Sequence, residues 1–125
     1  ESDLVPILEA VIDRRLRDID VRWRPEPAVC VVMAAAGYPG PHDTGKPISG
    51  LAAAAALRDV MVFHAGTARR GDAVVTNGGR VLGVTALGRD ISDAIARAYG
   101  AVAKIRWDGV HYRSDIGRKA VKRTA

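Results

Sequence analysis

Residues 73–86 read AVVTNGGRVLGVTA, two short apolar runs separated by Asn77-Gly78-Gly79. Runs of this length and composition are typical of β-strands, which we place at Ala73 to Thr76 and at Arg80 to Ala86. Asn and Gly accept the positive φ that a tight hairpin needs, so residues 77–79 predict a turn between antiparallel strands. The stretch therefore predicts the centre of an antiparallel sheet.

More strands are expected on the amino-terminal side of this stretch. Val60 to Thr67 predicts one, and Arg70-Gly71-Asp72 predicts the turn that completes an antiparallel meander. Further upstream, Ala28 to Ala35 is almost continuously apolar, which favours a central strand covered on both faces. The lone Cys30 lies in that run, so we expect a buried thiol. Ile19 to Arg24 alternates apolar and charged residues, as a half-buried strand does.

Two stretches with helical periodicity flank these strands. Ser2 is placed to cap the first helix, and Asp90 is placed to cap a second helix that suits packing on the sheet. The apolar positions are Leu4, Leu8, Val11, Ile12 and Leu16 in the first helix, and Ile91, Ile95, Ala98, Val102 and Ile105 in the second. The prediction is an α+β fold, a small and mostly antiparallel sheet with one packed helix, preceded by another helix.

Three segments are less regular. A loop rich in Gly and Pro runs over residues 37–50, and the alanine-rich residues 51–59 fit either a short helix or an irregular connection. The ending, residues 108–125, predicts a turn, a short strand around His111 to Arg113, and one last helical turn or two. The amphipathic helix at the first residues suggests a segment cut from a longer protein.

Composition bounds the function classes. No apolar run approaches the ~20 residues of a membrane span, and the acidic amino terminus is unlike a signal peptide, so a cytoplasmic setting is expected. The net charge of +5 admits an anionic partner, and a small basic nucleic-acid-binding domain is the alternative hypothesis. Much of the excess charge lies in a basic tail, and aromatics for base stacking are only 5% of residues. We therefore expect no nucleic-acid partner and no membrane partner.

Residues 40–46 read GPHDTGK, which has the spacing of a phosphate-binding P-loop. The next residue is Pro47, where a P-loop needs Ser or Thr to hold magnesium. Pro41 and Pro47 also lack the backbone N–H groups that would cradle a phosphate. A proline-stiffened loop is the better interpretation.

The three histidines, His42, His64 and His111, lie far apart and lack the spacing of a helical metal pair. We expect no metal site and no catalytic triad in this chain. For His64, two interpretations stay open, a hydrogen-bonded structural histidine and a substrate-facing one.

The turn at residues 76–80, Thr76-Asn77-Gly78-Gly79-Arg80, is the most suggestive local feature. Two glycines expose backbone amides beside a guanidinium, and that pairing suits a phosphate or a carboxylate. A plain hairpin turn with a solvated arginine explains the same residues equally well.

Several phrases together resemble the glycinamide ribonucleotide synthetase (phosphoribosylamine-glycine ligase) family, in order and at familiar spacing. They are VVMAAAGYPG at residues 31–40, VFHAGT at 62–67, VVTNGGRVLGVTA at 74–86 and YRSDIG at 112–117. The similarity extends over almost the whole chain. It implies the carboxy-terminal domain of an ATP-grasp ligase, related to the last domain of biotin carboxylases, with residues 1–18 as a helix ending the ATP-grasp region and residues 19–125 as the domain itself.

The resemblance also implies an activity. Members of the family couple ATP hydrolysis to amide formation between glycine and 5-phosphoribosylamine in purine biosynthesis, by way of glycyl phosphate. ATP and Mg²⁺ (or Mn²⁺) would bind outside this segment, which would be inactive alone and would pair with the ATP-grasp and amino-terminal domains of the same protein.

The expected substrate-binding residues lie within the matching phrases. They are Tyr38, Pro39, His64, Gly66, Thr67, Asn77, Gly78, Gly79 and Arg80. The family often has an acidic or tyrosine-bearing sequence after the position of Gly40, whereas Pro41-His42-Asp43 stands here, so no role is transferred to that loop.

Overall fold

A computed structural model of the chain describes residues 1–121. A three-stranded antiparallel sheet forms its centre, with strands β1 (Ala28–Ala34), β2 (Val60–His64) and β5 (Arg80–Leu87) in the order β1-β5-β2. The α+β class is therefore confirmed, and β5 is the central strand.

One helix covers one face of this sheet. Helix α3 (Ile91–Val102) packs on β1 and β5, and the Asp90 carboxylate caps it by accepting a hydrogen bond from the Asp93 N–H at 2.8 Å, as predicted. The core beneath it contains alternate strand residues and the small residues of the helix. Its fully buried members include Val31, Met33, Val81, Val84, Ala94, Ala98, Val102 and Ile105.

The predicted meander is wrong. Strands β3 (Thr67–Arg70) and β4 (Ala73–Thr76) form a separate two-stranded sheet, joined by the expected turn at Gly71. Residues 77–79 do not make a hairpin, and neither glycine there has a positive φ. The chain instead passes from one sheet to the other, because the Asn77 N–H and the Gly79 carbonyl bond to other segments.

Strand β1 is covered on one face only, which corrects the expectation of a strand buried on both. Val29, Val31 and Met33 are buried, while Ala28, Cys30 and Val32 are exposed. Cys30 is therefore not a buried thiol. The physical reason is that α3 covers a single face of an antiparallel sheet, so apolar residues on the other face are not covered by the rest of residues 1–121.

The amino-terminal segment differs from its prediction in three details. Helix α1 (Leu4–Ile12) is capped by Asp3, whose carboxylate accepts from the Val5 N–H at 2.9 Å. The Ser2 hydroxyl accepts from the Arg22 N–H at 2.8 Å, and residues 19–24 form no regular strand. The helix ends before Leu16, which opens a 3₁₀ turn (Leu16–Asp18).

The remaining regular elements are short. The alanine-rich stretch begins with helix α2 (Leu51–Ala55), which resolves the ambiguity in favour of a helix. The strand expected around His111 is reduced to one bridge with Ala34, and the last helical turn is α4 (Arg118–Val121). The rest of the predicted basic tail, from Lys122 onward, lies outside the described residues.

Candidate functional site

Two of the predicted site segments, residues 64–67 and residues 77–80, meet where the two sheets join. The end of β1 lies against them. The Gly66 N–H donates to the Arg80 carbonyl at 2.9 Å, and the Asn77 N–H donates to the Gly66 carbonyl at 2.8 Å. The Ala35 N–H, just after β1, donates to the Gly79 carbonyl at 2.8 Å. We call residues 64–67 and 77–80 together the glycine corner.

Glycines in this corner permit close backbone contact. A Cβ built on Gly66 would lie 2.7 Å from the Arg80 carbonyl oxygen and 2.8 Å from the Gly78 Cα. A Cβ on Gly79 would lie 2.1 Å from the Tyr38 ring, which packs over that residue. Gly66 and Gly79 are therefore required by contacts within the fold. Their presence alone does not indicate that a ligand approaches the backbone.

His64 and Thr67 form a side-chain pair within the corner. The His64 Nδ1 lies 3.0 Å from the Thr67 Oγ1, at hydrogen-bond distance, and the imidazole is exposed. This bond fixes the orientation of the ring and leaves its Nε2 available. Both earlier interpretations of His64 are compatible with this geometry.

Arg80 carries the positive charge of the corner. Its side chain is exposed, and it makes no hydrogen bond or ion pair within residues 1–121. The backbone N–H groups of Gly78 and Gly79 likewise have no acceptor in the described part of the chain. The corner therefore offers unused donors from three consecutive residues.

A groove of about 520 Å³ begins at Arg80 and runs along the open face of the sheet. Its lining is mostly apolar and comprises Val32, Tyr38, Phe63, Ala65, Gly79, Arg80, Leu82 and Gly83. Sequence reasoning missed Val32 and Phe63, which are 46% and 56% exposed. The signal that could have found them is the two-residue period, since both lie on the face opposite the buried valines.

The segment resembling a P-loop has a structural role. The Lys46 ammonium lies 3.4 Å from the Asp108 carboxylate and 3.9 Å from that of Asp43, and the Gly45 N–H donates to the Thr76 carbonyl. The lysine thus links two loops. Pro39, the remaining predicted site residue, is exposed beside Tyr38, and a cis peptide bond joins the two.

The other histidines lie outside the corner. His42 Nδ1 is 2.9 Å from the Gly40 carbonyl oxygen, and His111 bridges to Ala34 through its backbone. Among residues 1–121 there is no group of three or more His, Cys, Asp or Glu side chains that could hold a metal ion. Nor does any described helix have the length and hydropathy needed to cross a membrane.

A second polar cluster lies at the other end of β5. The pKa of Asp93 is lowered to about 2, first by the hydrogen bond from the Arg89 N–H and then by the Arg97 side chain. Arg97 also bonds the Asp59 carboxylate at 2.8 Å and so ties α3 to the loop before β2. Each charge in this cluster is paired, which suits a structural role.

Comparison with known proteins shows the family to which this chain belongs. The family model described as "Phosphoribosylglycinamide synthetase, C domain" matches residues 28–119. The phosphoribosylamine–glycine ligase of Pseudomonas aeruginosa is 51% identical over 98% of this chain, which corresponds to 28% of that relative. That of Synechocystis sp. is 53% identical over 96% of this chain and 29% of the relative.

A solved structure agrees with these matches. The crystal structure of phosphoribosylamine–glycine ligase from Thermotoga maritima superposes with a TM-score of 0.69 at 32% identity, covering 87% of this chain and 27% of that one. The chain therefore spans under a third of the length of these relatives. The matches give no support to the nucleic-acid hypothesis.

Proposed function

Because this chain belongs to the phosphoribosylglycinamide synthetase C-domain family, we propose that it is the carboxy-terminal part of a phosphoribosylamine–glycine ligase. In the proposed reaction, ATP activates glycine as glycyl phosphate. The amine of 5-phosphoribosylamine then displaces the phosphate and forms the amide, and the products include ADP and phosphate. The chain's own part is to bind and orient substrate.

The glycine corner is the observation that carries this role. Residues that are far apart in sequence come together there around a guanidinium that has no partner among residues 1–121. Exposed charges gain little from the fold itself, whereas an anionic ligand offers Arg80 a charge-assisted hydrogen bond. We therefore assign substrate contact to this corner and to Tyr38 and Pro39 at its edge.

ATP and Mg²⁺ (or Mn²⁺) belong, in this proposal, to parts of the ligase outside residues 1–125. The described residues contain no group of three or more His, Cys, Asp or Glu side chains that could hold a metal ion, and the GPHDTGK loop is occupied by its own contacts. The residues present do not fit these groups, so we derive no step through them.

The remainder of the same protein, its ATP-grasp and amino-terminal domains, is the proposed partner. Apolar side chains stay exposed both on the open face of the sheet and along α1, where Leu4, Leu8 and Ile12 are 63%, 53% and 79% exposed. Patches of this kind mark surfaces that contact other protein.

The boundary between residues 1–18 and 19–125 and the cytoplasmic setting remain predictions.

The experiment uses the full-length protein that contains this chain. ADP release should require both glycine and phosphoribosylamine, and the product should contain glycine in amide linkage. Chain 1–125 alone should release no ADP. Strong, salt-sensitive binding of chain 1–125 to an oligonucleotide, together with no ADP release by the full-length protein, would contradict the proposal.

A further inference from the structure

We infer that the anion bound at Arg80 is the phosphate monoester of phosphoribosylamine and not the carboxylate of glycine. This inference rests on the proposed function and names which substrate the glycine corner recognises. Three features of the corner support it: its donors, the absence of a carboxylate from the groove lining, and the size and polarity of the groove.

The donors form a set that suits a phosphate. Arg80 presents a fork of N–H groups, and the backbone N–H groups of Gly78 and Gly79 precede it directly without acceptors among residues 1–121. A phosphate monoester has three terminal oxygens and a charge near −2, so it can use an arginine and backbone amides together.

Glycine would be poorly matched by the same groove. A glycine zwitterion brings an ammonium group that needs an acceptor, and no Asp or Glu of residues 1–121 lines the groove. Two carbonyl groups of the corner already have donors, since Gly79 accepts from Ala35 and Arg80 accepts from Gly66. An ammonium held there without an acceptor is disfavoured.

Size and polarity favour a sugar phosphate. The groove of about 520 Å³ extends from Arg80 over the apolar side chains of Val32 and Phe63. A two-carbon amino acid would fill a small part of it, whereas a ribose ring attached to the phosphate can lie on this apolar floor. The triphosphate of ATP carries more negative charge than Arg80, the one cation that lines the groove among residues 1–121, can balance.

The test separates the three substrates in the full-length protein. For Arg80→Ala, we expect the KM for phosphoribosylamine to rise roughly ten- to a hundredfold, with the KM values for glycine and ATP within about twofold of the unmodified protein. Arg69→Ala is the matched control, because Arg69 is also exposed and without a partner in the described residues but does not line the groove. It should leave all three values unchanged.

A stable probe provides an independent readout. Ribose 5-phosphate should inhibit the unmodified protein competitively against phosphoribosylamine, ribose should not, and Arg80→Ala should weaken the inhibition by a similar factor. If Arg80→Ala does not fold, the unmodified protein and Arg80→Lys are sufficient for this comparison. Arg80→Lys keeps the positive charge but not the fork of N–H groups, so ribose 5-phosphate should inhibit it more weakly than the unmodified protein and more strongly than Arg80→Ala.

The outcomes are distinct. A rise in the KM for glycine alone, a rise for ATP alone, or an equal change in all three would overturn the inference, as would equal inhibition by ribose and ribose 5-phosphate. Absence of glycine- and phosphoribosylamine-dependent ADP release in the unmodified protein would instead refute the proposed function.

Discussion

The two faces of the central sheet have nearly the same apolar character and very different surroundings. On the inner face, Val31, Met33 and Val84 are fully buried beneath α3. On the outer face, Val32, Met61 and Phe63 are 46%, 57% and 56% exposed. The inner face stabilises the fold of this chain, whereas the outer face, with Arg80 at its rim, is left uncovered by the rest of residues 1–121 and is available for contact with another molecule.

The largest expected difference between the two faces is in the free energy of unfolding when a methionine on each face is replaced by alanine. Met33 is fully buried, so Met33→Ala should lower the free energy of unfolding of chain 1–125 by about 2–5 kcal/mol. Met61 is 57% exposed, so Met61→Ala should change it by no more than about 0.5 kcal/mol. Urea unfolding of both variants measures the difference.

The full-length protein is the control for that pair. If other domains cover the outer face, Met61→Ala should be more destabilising there than in chain 1–125, while the effect of Met33→Ala should stay similar. If the two substitutions lowered the free energy of unfolding of chain 1–125 equally, the distinction between the faces would be contradicted.

A smaller change in the free energy of unfolding is expected from substituting two glycines, one packed against the start of α3 and one exposed within it. A Cβ on Gly88, where β5 leads into α3, would lie 2.2 Å from the Ala94 backbone nitrogen, so Gly88→Ala should cost about 1–3 kcal/mol. Gly100 is exposed within α3 and has no neighbour within 4 Å of such an atom, so Gly100→Ala should gain about 0.5–1 kcal/mol. Thermal unfolding should show a lower melting temperature for Gly88→Ala and a higher one for Gly100→Ala. Destabilisation by Gly100→Ala would show that this position of α3 is in contact with other residues.

The smallest effect concerns pH. The Arg89 N–H and the Arg97 side chain lower the pKa of Asp93 from 3.8 to about 2, so folding favours the carboxylate. Its stabilisation is present above pH 4 and is lost as the pH falls towards 2. We expect urea midpoints between pH 4 and pH 2 to fall less in Asp93→Asn than in the unmodified chain. Asp72→Asn, at an exposed residue without a partner in the described chain, should retain the full decline.

Local sequence patterns predicted several elements of this fold well. The Asp90 cap and the apolar stripe of α3 depend on residues a few positions apart, and both are confirmed as far as Val102, where the helix ends; Ile105, predicted as the last residue of the stripe, is buried but lies beyond the helix. The pairing of strands was not predictable in the same way. The turn at residues 77–79 looks like a hairpin by its composition, but bonds to Gly66 and Ala35, which are distant in sequence, draw the chain into a different sheet.

The site was predictable only in part, for a related reason. The local composition of residues 76–80 indicated Arg80 and its two glycines, and phrases shared with the family added the other site residues, but no local pattern indicates that the Tyr38 ring fills the space above Gly79. The exposure of Cys30, Val32 and Phe63 depends on which face α3 covers. The two-residue spacing along a strand sorts its residues into two faces, but it does not show which of the two faces a helix covers, and it gives no indication of where the Tyr38 ring packs.

The most direct test combines this chain with the remainder of the proposed ligase. The protein lacking residues 1–125 is titrated with chain 1–125, and ADP release is measured with glycine and phosphoribosylamine present. We predict that neither part forms the amide alone and that the mixture does, less effectively when Phe63→Asp places a charge on the outer face. Amide formation by either part alone, or full rescue by the Phe63→Asp chain, would contradict the account.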